Sequence, residues 1–237
     1  MRQIDVSVLV VGAGPTGLTA GLMLAQLGLS HHIVERRPGP QRAPAAHAVN
    51  ARTFEIWGQS GAGMDGLLAA AKDPRDAGMV YWVDRLGGEV LGQLPYERQG
   101  DEVLALTPTP LRNLSQHRIE PILLDSLRRA GSDQADGETY AVRSRYLIAA
   151  DGARSPVRRS LGIQPIGPDS IQAFVMIHFE ANLRPLVQDC PGVLYWISDP
   201  SCSGVLVAHD IDREWVLMHA WDPDRESIES YDTARCE

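Results

Sequence analysis

Three glycines and two acids stand where they could hold a phosphate-bearing ligand. Gly12, Gly14 and Gly17 form a G-x-G-x-x-G run directly after the apolar segment Asp5-Val-Ser-Val-Leu-Val-Val11. Glu35 follows Gly12 by 23 positions and closes a second short apolar segment, His31-His-Ile-Val34. Such a glycine run is a weak signal alone. Between a buried-strand pattern and a helical run, with an acid at this distance, it describes the βαβ unit that holds the ADP half of FAD or NAD. Gly12 allows the tight turn out of the strand, Gly14 lets the backbone approach a pyrophosphate, and Gly17 lets the helix pack close to the sheet. The helix N-terminus offers unpaired N–H groups and a positive dipole end to the phosphates. Glu35 is expected to accept hydrogen bonds from the adenosine ribose hydroxyls.

A second pattern lies at Arg145-Tyr-Leu-Ile-Ala-Ala-Asp151-Gly152-Ala-Arg154-Ser155-Pro-Val-Arg158-Arg159. An apolar, buried strand runs into Asp151-Gly152, and Ser155-Pro156 starts a short helix. A carboxylate at the carboxyl end of a buried strand is where open α/β sheets place ligand contacts. Asp-Gly is also a common turn dipeptide, and the glycine motif upstream favours the ligand reading. His47, His117, His178, His209 and His219 never fall at metal spacing, and Cys190, Cys202 and Cys236 are too few and scattered for a disulfide framework or a metal site. No metal is expected, and no catalytic acid or base is assigned. Trp196, Trp215 and Trp221 fall on strand-like segments, where core packing is favoured over an aromatic-lined pocket.

The elements that must position these groups follow from periodicity. Two short helices are expected at 51–60 and 64–72, and strands at 79–84 and 89–94 around a two-residue turn at Gly87-Gly88. A helix is expected at 114–129, capped by Ser115 and ended by Gly131, with Ile119, Ile122, Leu123 and Leu127 on one apolar face and Pro121 in about its first turn. Segments 171–180, 192–198, 204–210 and 213–221 alternate like antiparallel strands. The fold class expected is mixed α/β, a Rossmann-like domain with a parallel sheet plus an antiparallel layer. The division expected is 1–77 with 97–168, 78–96 with 169–231, and a helix start at 232–237.

Composition excludes partners more than it names them. The chain is 44% hydrophobic with a net charge of −8, which argues against nucleic acid and anionic membrane surfaces. No apolar segment approaches the ~20 residues of a membrane span, and residues 6–11 lack a signal-peptide layout. The expected compartment is the cytoplasm.

Taken together, Gly12–Gly17, Glu35-Arg36, the segment Ala46-His-Ala-Val-Asn50-Ala-Arg52, the run Arg112-Asn-Leu-Ser-Gln116-His-Arg-Ile-Glu120 and Asp151-Gly152 resemble the single-component flavin-dependent aromatic hydroxylases, the p-hydroxybenzoate hydroxylase-like group. The likeness to the branch acting on phenols, phenylpropionates and polyketide-like aromatics runs along nearly the whole chain. It implies FAD as cofactor, NADPH or NADH as reductant, and O₂ and an electron-rich aromatic as substrates. Matched position by position, Gly12, Ala13, Gly14 and Gly17 fall on the pyrophosphate loop, Glu35 on the ribose acid and Arg36 beside the adenosine. Gln116 falls on the glutamine that meets the phosphate–ribityl region, and Asp151-Gly152 on the motif touching FAD and the nicotinamide cofactor. Arg154 and Arg158 sit either where a phosphate could be met or on a solvated helix face.

Three departures accompany the resemblance. Ala45 stands where the family carries an arginine, with Arg42 the nearest substitute. The stretch 132–144 is shorter than the family's strands there, and the family's late Gly-Asp-Ala-small-His motif has no match. The chain therefore reads as a truncated and internally shortened relative. Two functions stay open: an FAD-dependent monooxygenase hydroxylating a phenolic or aromatic substrate, or a non-catalytic or uncoupled FAD- or nucleotide-binding remnant of one. A flavin reductase or halogenase of the same fold fits less well.

Overall fold

The apolar run before the first glycine forms the centre of a parallel sheet. The computed structural model describes residues 2–96, 99–131, 140–168 and 170–231. In chain order these form β1 (Arg2–Val11), α1 (Pro15–Gln26), β2 (His31–Val34), β3 (Ala48–Val49), α2 (Ala51–Ser60), α3 (Met64–Ala70), α4 (Pro74–Ala77), β4 (Met79–Val83), β5 (Val90–Pro95) and β6 (Arg112–Asn113). They continue with α5 (Gln116–Arg129), β7 (Tyr140–Ala149), α6 (Pro156–Ser160), β8 (Ala173–Glu180), α7 (Arg184–Val187), β9 (Leu194–Ile197), β10 (Gly204–Asp210) and β11 (Glu214–Trp221). The helix start expected at 232–237, and most of the shortened stretch, 132–139, lie outside the described residues. No described helix is long and apolar enough to cross a membrane.

The chain divides into two compact units, 1–71 with 114–166 and 72–113 with 167–237. The stretch 97–113, expected with the glycine motif, falls with the second unit. Side-chain amides hold it there: Gln99 Nε2 donates to Ala77 O at 2.8 Å, and Asn113 Nδ2 donates to Gln99 Oε1 at 3.2 Å.

In the first unit β1 lies between β2 and β7, parallel to both. Helices α1, α2 and α5 supply its core: Leu18, Phe54, Leu123 and Leu127 are at most 1% exposed. Each such buried side chain contributes about 1.5–3 kcal/mol. Ile119 and the rest of the expected α5 face are buried or half-buried, and so, unexpectedly, is Glu120. Ser115 occupies the N-cap of α5 without a side-chain cap bond, and Pro121 is the sixth helical residue rather than a first-turn residue. A proline there has no N–H for the carbonyl one turn back, and Pro121 itself lies on the exposed side of the helix. β7 also departs from expectation. The sequence predicts a buried strand, yet Tyr146, Leu147 and Ile148 are exposed on an edge strand that pairs only with β1 among the described residues.

The second unit is built on a six-stranded sheet in the order β5-β4-β9-β10-β11-β8, antiparallel except for β4 beside β9. The β4–β5 hairpin is not closed by a two-residue turn. Residues 84–89 form a longer loop in which Asp84 Oδ1 accepts from the N–H groups of Arg85 and Glu89, each at 2.7 Å. Tyr81, Tyr195, Leu206 and Trp215 fill the core on one sheet face, with Tyr81 and Tyr195 stacked 5.7 Å apart. Strand alternation sends Trp196 to the opposite face, where it is 46% exposed, while Trp215 is fully buried. The sequence expectation of core packing therefore fits Trp215 and not Trp196. Arg184 joins this unit's loops by bonding both Asp76 and Asp212, at 2.8 and 2.5 Å.

Candidate functional site

Parallel register decides where the motifs of the first unit meet. Val11 pairs with Val34 on one side and with Ala149 on the other. Gly12, Glu35 and Ala150 therefore leave the sheet at one level, with Asp151 next. Gly12 N–H donates to Val34 O and Ala150 N–H to Val11 O, both at 2.8 Å. At this edge lies a cleft of about 600 Å³ whose walls include Gly12, Gly14, Glu35, Arg36, Gln116, Asp151 and Gly152. Ala13 is not among the lining residues, and its N–H donates to Glu35 Oε2.

The three glycines are required for different reasons. Gly12 has φ +106°, and a Cβ there would stand 2.3 Å from Ala150 O. A Cβ on Gly17 would stand 1.9 Å from Gly12 O, so α1 rests directly on the turn. Gly14 is different: its backbone is extended (φ −74°, ψ −179°), and a Cβ would meet nothing of the chain nearer than Glu120 Oε1 at 3.9 Å. The chain itself does not need glycine at 14. Beyond it α1 begins with Pro15, leaving the first-turn N–H groups of Thr16 and Gly17 without intrahelical acceptors.

Glu35 braces the loop from the end of β2. Its Oε2 accepts from Ala13 N–H at 2.8 Å and its Oε1 from Arg37 N–H at 2.9 Å. Burial pulls its carboxyl upward, but these two N–H donors and the Arg37 guanidinium outweigh that and hold it below the ordinary value of 4.5. A carboxyl depressed in the folded state contributes stability above its unfolded pKa and loses it as pH falls through the folded one. Hydrogen-exchange protection of the Ala13 amide, corrected for intrinsic rate, should thus be constant from neutral pH to about 4.5 and fall below it. In Glu35→Gln the fall should vanish. A wild-type protection that stays flat through the acid range would remove Glu35 from this role.

Asp151 serves its own turn. The Ser155 hydroxyl and the Val157 N–H, at 3.0 Å from Oδ2, hold its carboxyl below the usual aspartate range. Gly152 then takes φ +83°, the left-handed conformation that turns the chain into α6. Arg158 turns back and donates to Ala153 O at 2.9 Å, bracketing this turn, and is not among the residues that line the cleft. Of the arginines near the glycine loop, Arg36 and Arg37 line the cleft; Arg42 is exposed and does not. Arg37 and Glu120 went unnoticed in the sequence. The available signal was Glu120 itself, a charge four residues after Gln116 on the helix face that carries Leu123 and Leu127.

With this geometry in hand, comparison with known proteins is decisive at the family level. The profile of the FAD binding domain family matches residues 5–133 and 130–236. The chain belongs to the FAD-binding domain family. Within it, the chain is similar to tetracenomycin A2 monooxygenase-dioxygenase of Streptomyces glaucescens, 31% identical over 100% of this chain and 50% of that protein. It is similar to aklavinone 12-hydroxylase DnrF of Streptomyces peucetius subsp. caesius, 31% identical over 100% of this chain and 54% of the relative. The 2,4-dichlorophenol 6-monooxygenase of Delftia acidovorans is 30% identical over 92% of this chain and 43% of its own length. Among solved structures, the flavin-dependent monooxygenase PieE in complex with FAD and substrate superposes with a TM-score of 0.89 and 31% identity, over 100% of this chain and 46% of that one. The chain spans about half the length of the curated relatives it matches. The mixed α/β architecture expected from the sequence is the architecture of this FAD-binding family.

Proposed function

We propose that the cleft holds FAD by its ADP end, in a protein that hydroxylates a phenolic or other electron-rich aromatic compound with NADPH or NADH and O₂. The observation that carries this reading is Gly14, a glycine the chain's own packing does not need, on the wall of a cleft at a helix N-terminus. In this reading the Gly14, Thr16 and Gly17 N–H groups meet the diphosphate, with the helix dipole adding to their pull. Glu35 Oε2 accepts one backbone N–H and retains a lone pair for a ribose hydroxyl, while Oε1 takes both the N–H and the guanidinium of Arg37. Arg36, exposed and in no ion pair among the described residues, is available to the ligand, while Arg37 is held by Glu35 and Glu120. Gln116 and Asp151-Gly152 close the remaining walls. FAD, when bound, supplies the redox and oxygen-transfer chemistry. A net charge of −8 and three cysteines support a cytoplasmic location.

The second unit supports an aromatic substrate. Trp82 and Trp196 stack 6.5 Å apart and within 8° of parallel on adjacent strands. Both are more than a third exposed, and strand register sets them in one row with Val205, Met218 and Met176. An exposed indole pair suits a flat, electron-rich ring, and the row continues past Val205 into two thioethers.

A second reading, nucleotide binding without coupled hydroxylation, is favoured by the cleft's own inventory. Its lining residues, glycine backbone, two carboxylates, two arginines and an amide, suit a diphosphate and a ribose. Two measurements decide. Titration with FAD, followed in the visible spectrum, should show a perturbed bound flavin, and an unchanged free-flavin spectrum at saturating protein would overturn the cleft assignment. NAD(P)H consumption with a phenol panel, following peroxide and product together, separates the readings: product matching NADPH or NADH consumed supports the hydroxylase, and peroxide alone the uncoupled binder.

A further inference from the structure

Glu120 is a carboxylate with no solvent exposure, bonded to Gln116 and Arg37, two residues on the wall of a cleft assigned to an anionic ligand. Burying a charge is costly unless it is paired and hydrogen-bonded, and Glu120 is both. Its Oε2 accepts from Gln41 backbone N–H at 2.6 Å, its Oε1 accepts from Gln116 Nε2 at 2.7 Å, and Arg37 Nη2 lies 3.4 Å away. Arg37 extends the network to Gln41 Oε1 at 2.8 Å. The carboxylate thus ties the start of α5 to residues 37–41, directly behind Gly14.

One contact has a chemical consequence. An ionised carboxylate only accepts hydrogen bonds, so Gln116 must turn its NH₂ group, not its carbonyl, toward Glu120. The end of the amide turned away from Glu120 is then the carbonyl oxygen, an acceptor, on a residue that lines the cleft. We propose that Glu120 is a positioning residue that orients the Gln116 amide so that its carbonyl oxygen receives a hydroxyl group of the bound cofactor. This rests on the reading of the cleft as an FAD site. Gln116 reads a sugar or polyol hydroxyl of the ligand, and Glu120 acts on the ligand through Gln116.

The test uses the full chain with FAD and ADP as probes, and a double-mutant cycle over Glu120→Gln and Gln116→Ala. Glu120→Gln keeps the side chain's shape and an acceptor for Gln41 but removes the demand on Gln116's orientation. FAD affinity should fall about tenfold or more in each single variant, and the double variant should bind no more weakly than the weaker single one. Additive losses, or a lowered melting temperature with wild-type FAD affinity, would overturn the proposal. In the unaltered chain one Gln116 side-chain amide proton should resist exchange, and two freely exchanging protons would overturn it even if Glu120→Gln does not fold. If the wild-type chain binds neither FAD nor ADP, the FAD reading itself fails. If it binds FAD and the variants match it, only the role of Glu120 fails.

Discussion

A valine at position 14 should leave the chain folded and remove most of its nucleotide binding. The backbone at Gly14 is extended, a conformation any residue adopts, and the nearest atom to an added Cβ is 3.9 Å away. The fold therefore loses only a tolerable helix cap, worth about 1 kcal/mol, which lowers the melting temperature by about 3 °C in a chain this size. Binding is another matter. A branched side chain on the cleft wall keeps a diphosphate from the N–H groups behind it. Losing two hydrogen bonds to a charged group, at about 1.5–3 kcal/mol each, weakens binding on the order of a hundredfold to ten-thousandfold. Thermal melting without ligand, beside titration with FAD and ADP, measures both halves. Wild-type affinity in Gly14→Val would mean that nothing approaches this glycine.

An alanine at position 17 should do the opposite damage. Its Cβ would stand 1.9 Å from the backbone oxygen of Gly12 and 3.0 Å from the Gly12 carbonyl carbon. Both are backbone atoms of a turn at φ +106° whose Gly12 N–H is held by Val34 O at 2.8 Å, so neither moves aside cheaply. Helix α1 must lift from the end of β1, and the buried face around Leu18 and Leu22 opens with it. Overpacking of this kind costs on the order of 3 kcal/mol, which should lower the melting temperature by about 10 °C. Any loss of FAD affinity should then track the loss of folded protein. A Gly17→Ala chain that melts like wild type would show that α1 does not rest on the turn. The two variants together separate a glycine required by the fold from one required by the ligand.

Glu35 and Glu120 show where sequence reasoning reaches and where it stops. Glu35 stood out because its distance from the glycine run is set by one helix and one strand of ordinary length, a local and periodic relation. Glu120 sat in plain view on α5, but its partners Arg37 and Gln41 are some eighty positions away, and nothing periodic links them. The same holds for Trp196 and Trp215. Both read as strand aromatics, and only the registers of β9 with β10 and of β10 with β11 assigned them to opposite faces.

The sequence by itself determined the βαβ unit, the roles open to its glycines and acid, the two kinds of sheet and the family they resemble. Those features are written in short-range spacing, where backbone geometry leaves few alternatives. That Gly12 and Asp151 both follow strands at the carboxyl edge of one sheet was legible in the sequence. Only the tertiary structure set the register, Val11 pairing with both Val34 and Ala149, that brings them to one level with Glu35. It alone decided that Arg158 brackets a turn, that Arg37 rather than Arg42 lines the cleft, and that a buried carboxylate sets the orientation of Gln116. The common level and the place of Arg37 join segments far apart in sequence, whereas Arg158 and Gln116 bond partners only five and four residues away. In each case packing and the need of buried charges for partners made the choice, and spacing along the chain carries no record of it.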